Sequence, residues 1–252
     1  MLPLVFVHGL IGPLADTRTL SLLRSATVVC PDLFGYGTEA DAGVDHITID
    51  AQVDYVRAAI DGAAPDTRVH LVGHSVGGVI AMAFAHRYPN RVASVVNVEG
   101  NFALADAFWS AQLARKTPRE AHDLLEVDRA DPARWLRDGG VEPTDEHIRL
   151  ATQALAYQPA STLQAVARAV IEFTGRPLYE PLLRTVFQDV PVHLVAGARS
   201  RPEWNLPEWA LGAAASYTEM PDTGHMVMLE APEAFGNLLL DLANRDHGHA
   251  GL

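Results

Sequence analysis

The sequence predicts an α/β fold: a mostly parallel central sheet of about six strands, flanked by helices and interrupted by one helical insertion. Three observations carry this. Apolar runs of strand length recur at 3–7, 27–30, 68–72, 93–98, 191–196 and 215–220, with helix-like stretches between most of them. The alternation breaks once, after residue 98, where about ninety strand-poor, helix-rich residues intervene, far more than a crossover needs. A glycine-bracketed turn, Gly73-His74-Ser75-Val76-Gly77, joins a β-branched run to an apolar helical one. With 252 residues the chain can bury one sizeable core. The expected organisation is one domain, its core formed by 1–99 and 188–252 and the insertion by 100–187.

The first run ends at Val7 and begins beside Pro3, with no basic start and no long hydrophobic stretch. It reads as a strand rather than a signal peptide, and a cytoplasmic location follows as the default. His8-Gly9-Leu10-Ile11-Gly12 follows it as a tight loop. The second run holds the only cysteine, Cys30, so no internal disulfide can form. A buried, inert thiol is expected there. Pro31 to Gly37, Pro-Asp-Leu-Phe-Gly-Tyr-Gly, reads as a turn segment after it.

The third run, Val69 to Val72, leads into the Gly73–Gly77 turn, and Val79 to Ala85 is apolar enough for a buried helix. Glycines on both sides of Ser75 let strand and helix approach where a side chain would clash. Ser75 is thereby thrown forward at a helix N-terminus, which favours developing negative charge. The plainer alternative makes Ser75 only an N-cap. His74, its neighbour in a sharp turn, points the wrong way to serve it as a base.

The fourth run ends in Val98-Glu99, and the insertion follows. Helices are expected from Ala103 to Lys116, with Leu104, Phe108, Ala111 and Leu113 or Ala114 on one face, from a Thr144 cap through Ala156, and from Thr162 to Phe173. Ala130-Asp131-Pro132 and Gly139-Gly140 read as joints. An insertion here would lie over the carboxyl edge of the sheet as a lid. Phe102, Trp109, Trp135 and Phe173, with Phe108, are candidates for an apolar substrate pocket, although core packing explains any one of them equally well. After the fifth run comes Gly197-Ala198-Arg199-Ser200-Arg201-Pro202-Glu203, and after the sixth Asp222-Thr223-Gly224-His225-Met226. A helix from Pro232 to Ala243 precedes a His247-Gly248-His249-Ala250-Gly251 ending that reads as a frayed tail.

A serine nucleophile needs a histidine base, a carboxylate to orient it and amide donors for an oxyanion. His225 is the base candidate, since its loop lies at the same sheet edge as Ser75. Leu10 and Val76 N–H are the oxyanion-donor candidates. Glu99 is the acid candidate, because it ends the strand beside the serine strand; Glu203 and Asp222 stay open as alternatives. The sequence has no His-Glu-x-x-His pattern, no cysteine pair and no glycine-rich dinucleotide fingerprint, so no metal and no cofactor is expected. A net charge of −12 argues against nucleic-acid or anionic-membrane partners, and Lys116 is the sole lysine. A small-molecule substrate is expected, and a homo-oligomer is compatible with the sequence.

The order of the His8-Gly9 loop, the Pro31–Gly37 segment, the Gly73–Gly77 turn and Gly224-His225 resembles that of α/β-hydrolases. The resemblance spans essentially the whole chain outside the insertion. It implies an esterase, lipase, lactonase or C–C-bond hydrolase with a Ser-acid-His triad and no cofactor, and a structural role for Asp32. The usual first two strands of that family are missing here. Many members carry the acid after the penultimate strand, where this chain has Ser200; placement on Glu99 resembles zearalenone-type lactonases. The leading expectation is hydrolysis of a small or medium carboxylic ester or lactone through an acyl-Ser75 intermediate. A C–C-bond hydrolase or hydroxynitrile-lyase-like enzyme is the alternative on the same fold. A non-catalytic or slow-turnover ligand receptor is the alternative from another class.

Overall fold

A computed structural model describes residues 1–13, 17–41 and 43–247. Among the described residues there are six strands: β1 Leu4–Val7, β2 Val28–Val29, β3 Val69–His74, β4 Val92–Val98, β5 Val192–Gly197 and β6 Ser216–Met220. They form one sheet in the order β2-β1-β3-β4-β5-β6, and every pairing is parallel. The strand expectations therefore hold to within one or two residues at each end.

Helices α1 (Thr17–Leu22), α2 (Ile49–Ala63) and α3 (Val76–Arg87) belong to the first half of the chain. Six more, α4 (Phe108–Ala114), α5 (Pro118–Ala130), α6 (Pro132–Asp138), α7 (Asp145–Ala156), α8 (Ala160–Thr174) and α9 (Tyr179–Asp189), fill the stretch between β4 and β5. Helices α10 (Glu208–Ala213), α11 (Val227–Glu230) and α12 (Pro232–His247) complete the chain. Of the expected frayed ending, 248–251 lie outside the described residues.

Because side chains alternate along a strand, the sheet divides its apolar residues between two faces. Val5, Val7, Leu71, Val95 and Leu194 pack into one core with Val53, Val56 and Phe84 from α2 and α3. Leu4, Val72, Val96, Val98 and Val195 pack into another with Phe235, Leu239 and Leu242 from α12.

The insertion has an apolar core of its own, made by Leu113, Ala121, Leu125, Leu155, Leu163 and Ala167, against which Leu10 and Ile11 pack. That contact seats the insertion on the loop after β1, at the carboxyl edge of the sheet. Thr144 caps α7 as expected, accepting from the His147 amide, and Asp131 caps α6 from the Arg134 amide. The expected single helix over 103–116 is corrected. Leu104–Ala107 is a 3₁₀ turn and only Phe108–Ala114 is α-helical. The tighter turn changes the phase, so Ser110 and Leu113 face inward while Leu104 and Phe108 are exposed. The cause is local: the Asp106 carboxylate accepts from the Phe102 and Ala103 amides and tightens the entry. Helix α8 starts two residues earlier than expected, and α5 and α6 had no sequence expectation.

Candidate active site

The Gly73–Gly77 segment forms the sharp strand-to-helix turn the sequence implied. Ser75 has φ 54° and ψ −121°, a conformation that costs a non-glycine residue about 1–3 kcal/mol and is held by its surroundings. Those surroundings are specific. The Ser75 amide donates to Val98 O at 2.9 Å, and the Gly78 amide donates to Ser75 O at 2.8 Å. A Cβ on Gly77 would strike the Val7 and His8 carbonyl oxygens, and one on Gly73 would strike the Gly77 carbonyl. The glycine spacing is thus the imprint of β1, β3 and α3 meeting at one point. Ser75 makes no side-chain capping bond to α3, so the N-cap reading does not hold.

Glu99 lies one residue beyond β4, in a left-handed backbone conformation with φ 47°. Its amide donates to Val195 O at 3.1 Å, and its side chain is 4% exposed. Both oxygens of the carboxylate are used. Oε2 accepts from His225 Nδ1 at 2.6 Å, while Oε1 accepts from the Gly197 amide at 2.7 Å and from Ser200 Oγ at 2.5 Å. Burial pushes the Glu99 pKa up, but these donors and the His225 charge pull it further down, so the carboxyl sits below its ordinary range. Glu99 and His225 are therefore joined directly, as expected. Glu203 lies on a 3₁₀ turn after the β5 loop, and Asp222 contributes its carbonyl to Arg199.

With Nδ1 committed to Glu99, Nε2 is the atom of His225 left for a hydroxyl, and the side chain is 41% exposed. Ser75 Oγ makes no hydrogen bond to His225 among the described residues, and such pairs tighten in a substrate complex. The histidine loop is fixed from three sides. His74 Nε2 donates to His225 O at 3.0 Å, with the two rings 4.6 Å apart. Glu230 Oε1 accepts from the Gly224 amide at 2.7 Å. Arg199 pairs with the other Glu230 oxygen, with Asp222 O, and with Gly140 O of the insertion. Sequence reasoning set His74 aside and missed Arg199, Glu230 and Ser200. The one available signal was Ser200 itself, standing where an acid was sought.

His74 is buried; burial first, then repulsion from His225, lowers its pKa to about 3, so it is a neutral donor. The expectation that it does not serve Ser75 agrees with this geometry. Burial likewise lowers His8 to about 4; its Nδ1 donates to Gly9 O at 2.9 Å and its Nε2 is sealed from solvent.

Gly9 packs on the elbow: a Cβ there would sit 3.2 Å from Ser75 Cβ. Leu10 is held from the other side, its carbonyl accepting from Tyr36 Oη at 2.8 Å. Val76 opens α3, where first-turn amides lack helical partners. Asp32 has the structural role expected of it: Oδ2 accepts from Thr38 N and Oγ1, and Oδ1 meets the Tyr157 hydroxyl at the end of α7.

A cavity of about 320 Å³ adjoins the elbow, lined among others by His8, Gly9, Ile11, His74, Tyr157 and Met228. The four candidate pocket aromatics are dispersed, and none lines this cavity. Phe102 and Phe173 are buried in the core, Phe102 against Phe187, Trp204 and Trp209, and Phe173 against Tyr179. Trp135 is half-buried between two apolar clusters, and Trp109 is 66% exposed. Cys30 also corrects expectation: it is exposed on the cavity wall rather than buried, because β2 is a two-residue edge strand. Desolvation within that wall, then the Asp32 carboxylate, raise its thiol to about 11, so it stays protonated near neutrality. No group of three or more His, Cys, Asp or Glu that could hold a metal occurs among the described residues.

A family profile described as "Alpha/beta hydrolase family" matches residues 4–238. A 2-hydroxy-6-oxo-2,4-heptadienoate hydrolase of Pseudomonas putida is 35% identical over 141 residues, which are 51% of this chain and 50% of that protein. Lipase 3 of Moraxella sp. is 29% identical over 243 residues, covering 93% of this chain and 75% of the lipase. Among solved structures, a thermophilic esterase from Thermogutta terrifontis superimposes with a TM-score of 0.73 at 22% identity, over 98% of this chain and 91% of the esterase. At that identity the likeness concerns the fold. No helix among the described residues is long and apolar enough to cross a membrane.

Proposed function

Since this chain belongs to the α/β-hydrolase family, we propose that it hydrolyses a small or medium carboxylic ester or lactone through an acyl-Ser75 intermediate. The observation that carries the reading is the 2.6 Å bond from His225 Nδ1 to the buried Glu99 carboxylate, on the loop facing the Ser75 elbow. Glu99 fixes the histidine tautomer and stabilises the imidazolium. His225 Nε2 takes the Ser75 proton as Oγ attacks the carbonyl carbon, then returns it to the leaving alcohol. A water activated by His225 next attacks the acyl carbon and frees Ser75. The Leu10 and Val76 amides receive the oxyanion in both steps, each worth on the order of 3 kcal/mol. The insertion over the β1 loop acts as the lid that selects the substrate.

Short p-nitrophenyl esters and a lactone panel, together with an active-serine fluorophosphonate probe, test this. Turnover and labelling that both vanish in Ser75→Ala support it; undiminished turnover in that variant refutes it. One observation favours a second reading, C–C-bond hydrolysis: the 35% identity to a dienoate hydrolase over half of this chain. Faster turnover of vinylogous 1,5-diketones than of any ester would select it.

A further inference from the structure

The two oxygens of the Glu99 carboxylate are treated differently by the fold. Oε2 has one partner, His225 Nδ1, whereas Oε1 is gripped by two donors from a single loop, the Gly197 amide at 2.7 Å and Ser200 Oγ at 2.5 Å. The terminal torsion of a glutamate is broad and two-fold, so an unclamped carboxylate exchanges its oxygens and samples a range of planes. Two donors on Oε1 end that freedom and leave Oε2 aimed at the histidine. Ser200 has a competing acceptor, Gly197 O at 3.3 Å, and the shorter distance goes to the charged partner, as hydroxyl–carboxylate bonds of about 2.5–2.7 Å do. The geometry points to Ser200 as a positioning residue for the reaction: its hydroxyl orients the Glu99 carboxylate toward His225 without touching substrate.

This inference rests on the Ser75–His225–Glu99 reading above. It gives the β5 loop a role. That loop supplies no acid of its own to His225; it supplies the hydroxyl and amide that seat an acid borrowed from β4. The backbone at Glu99, held in its left-handed conformation by the bond to Val195 O, brings the carboxylate within reach of both. The titratable groups facing Glu99 are His225, from the loop after β6, and His74, from the end of β3.

Ser200→Ala and Ser200→Thr, prepared as the full chain, are compared with the wild type for kcat, KM and pH profile on a p-nitrophenyl ester. Loss of a hydrogen bond to a charged group predicts a fall in kcat of about tenfold or more in Ser200→Ala, with KM changed less than about twofold. The acidic limb of the profile moves to higher pH. Without the hydroxyl sharing its charge, the carboxylate holds the imidazolium proton more tightly and itself takes up protons more readily. Ser200→Thr keeps a hydroxyl and recovers most of kcat. A role confined to stability would lower the melting temperature and leave kcat and the pH limb where they are. Wild-type kcat and pH profile in Ser200→Ala overturn the inference, and so does a folded Ser200→Thr as impaired as the alanine variant. If Ser200→Ala does not fold, Ser200→Cys, with its weak donor, is expected to show reduced kcat, and wild-type kcat there overturns the inference equally. A wild type that neither turns over esters nor labels at Ser75 removes the parent reading. An active wild type with an indifferent Ser200 removes only this one.

Discussion

Lowering the pH from about 7.5 to about 5 should destabilise this protein through two histidines that the fold keeps neutral. His8 and His74 have folded-state pKa values lowered to about 4 and about 3 by burial. Above the unfolded value near 6.5 both states are uncharged there, and these residues add no pH dependence. Below it the unfolded chain takes up protons that the folded chain refuses, so stability falls with pH until about 4 for His8 and about 3 for His74. At about pH 5, 1.5 units below the unfolded value, each histidine costs about 2 kcal/mol at 1.36 kcal/mol per unit, roughly 4 kcal/mol together. Asp128, raised by burial, works in the opposite sense. For a chain of this length the loss corresponds to a melting-temperature drop on the order of 10 °C. Urea unfolding at intervals between the two pH values measures it, and His8→Asn should remove about half of the slope. A stability flat to within about 1 kcal/mol over that range would refute the reasoning, because the rings would then be taking up protons in the folded state.

Glu99→Gln keeps the shape but turns an acceptor toward Nδ1 into an amide. The expected result is a fall in kcat of about 10⁴-fold with near-native stability, read by steady-state kinetics and thermal melts. Gly77→Ala drives a methyl into the Val7 and His8 carbonyls, so β1 and the elbow must part; a loss of about 3 kcal/mol or more, or failure to fold, is expected in denaturant unfolding. Glu230→Gln removes the Arg199 ion pair and weakens the acceptor for Gly224. As Arg199 is 46% exposed, stability should change by only about 1 kcal/mol or less, while kcat falls as the His225 loop loosens.

The strands and the elbow were legible because each leaves a local imprint. Parallel strands buried on both faces are mostly apolar, as Val69–Val72 and Val92–Val98 are, and close approach at the elbow admits only glycine at Gly73 and Gly77. His225 and Glu99 could be picked out because topology puts every β-strand carboxyl end at one edge of the sheet. What stayed hidden depends on register between distant segments. Ser200 meets Glu99 across 101 residues, Arg199 meets Glu230 across 31, and His74 meets His225 across 151. No periodicity encodes such pairs. The 103–116 segment failed for a different reason: a single carboxylate, Asp106, chose a 3₁₀ entry and rotated the helix that follows.

The Arg199 contact to Gly140 has a consequence for how this chain tolerates change. Of the insertion, the arginine grips a main-chain carbonyl and no side chain, so the grip asks for a turn at that place and is indifferent to which residues build it. Side chains of the insertion can therefore change at this point while the Arg199 hold on the His225 loop stays as it is. A designer grafting a foreign insertion onto this core would need to supply a carbonyl beneath residue 199 as well as an apolar seat for Leu10 and Ile11.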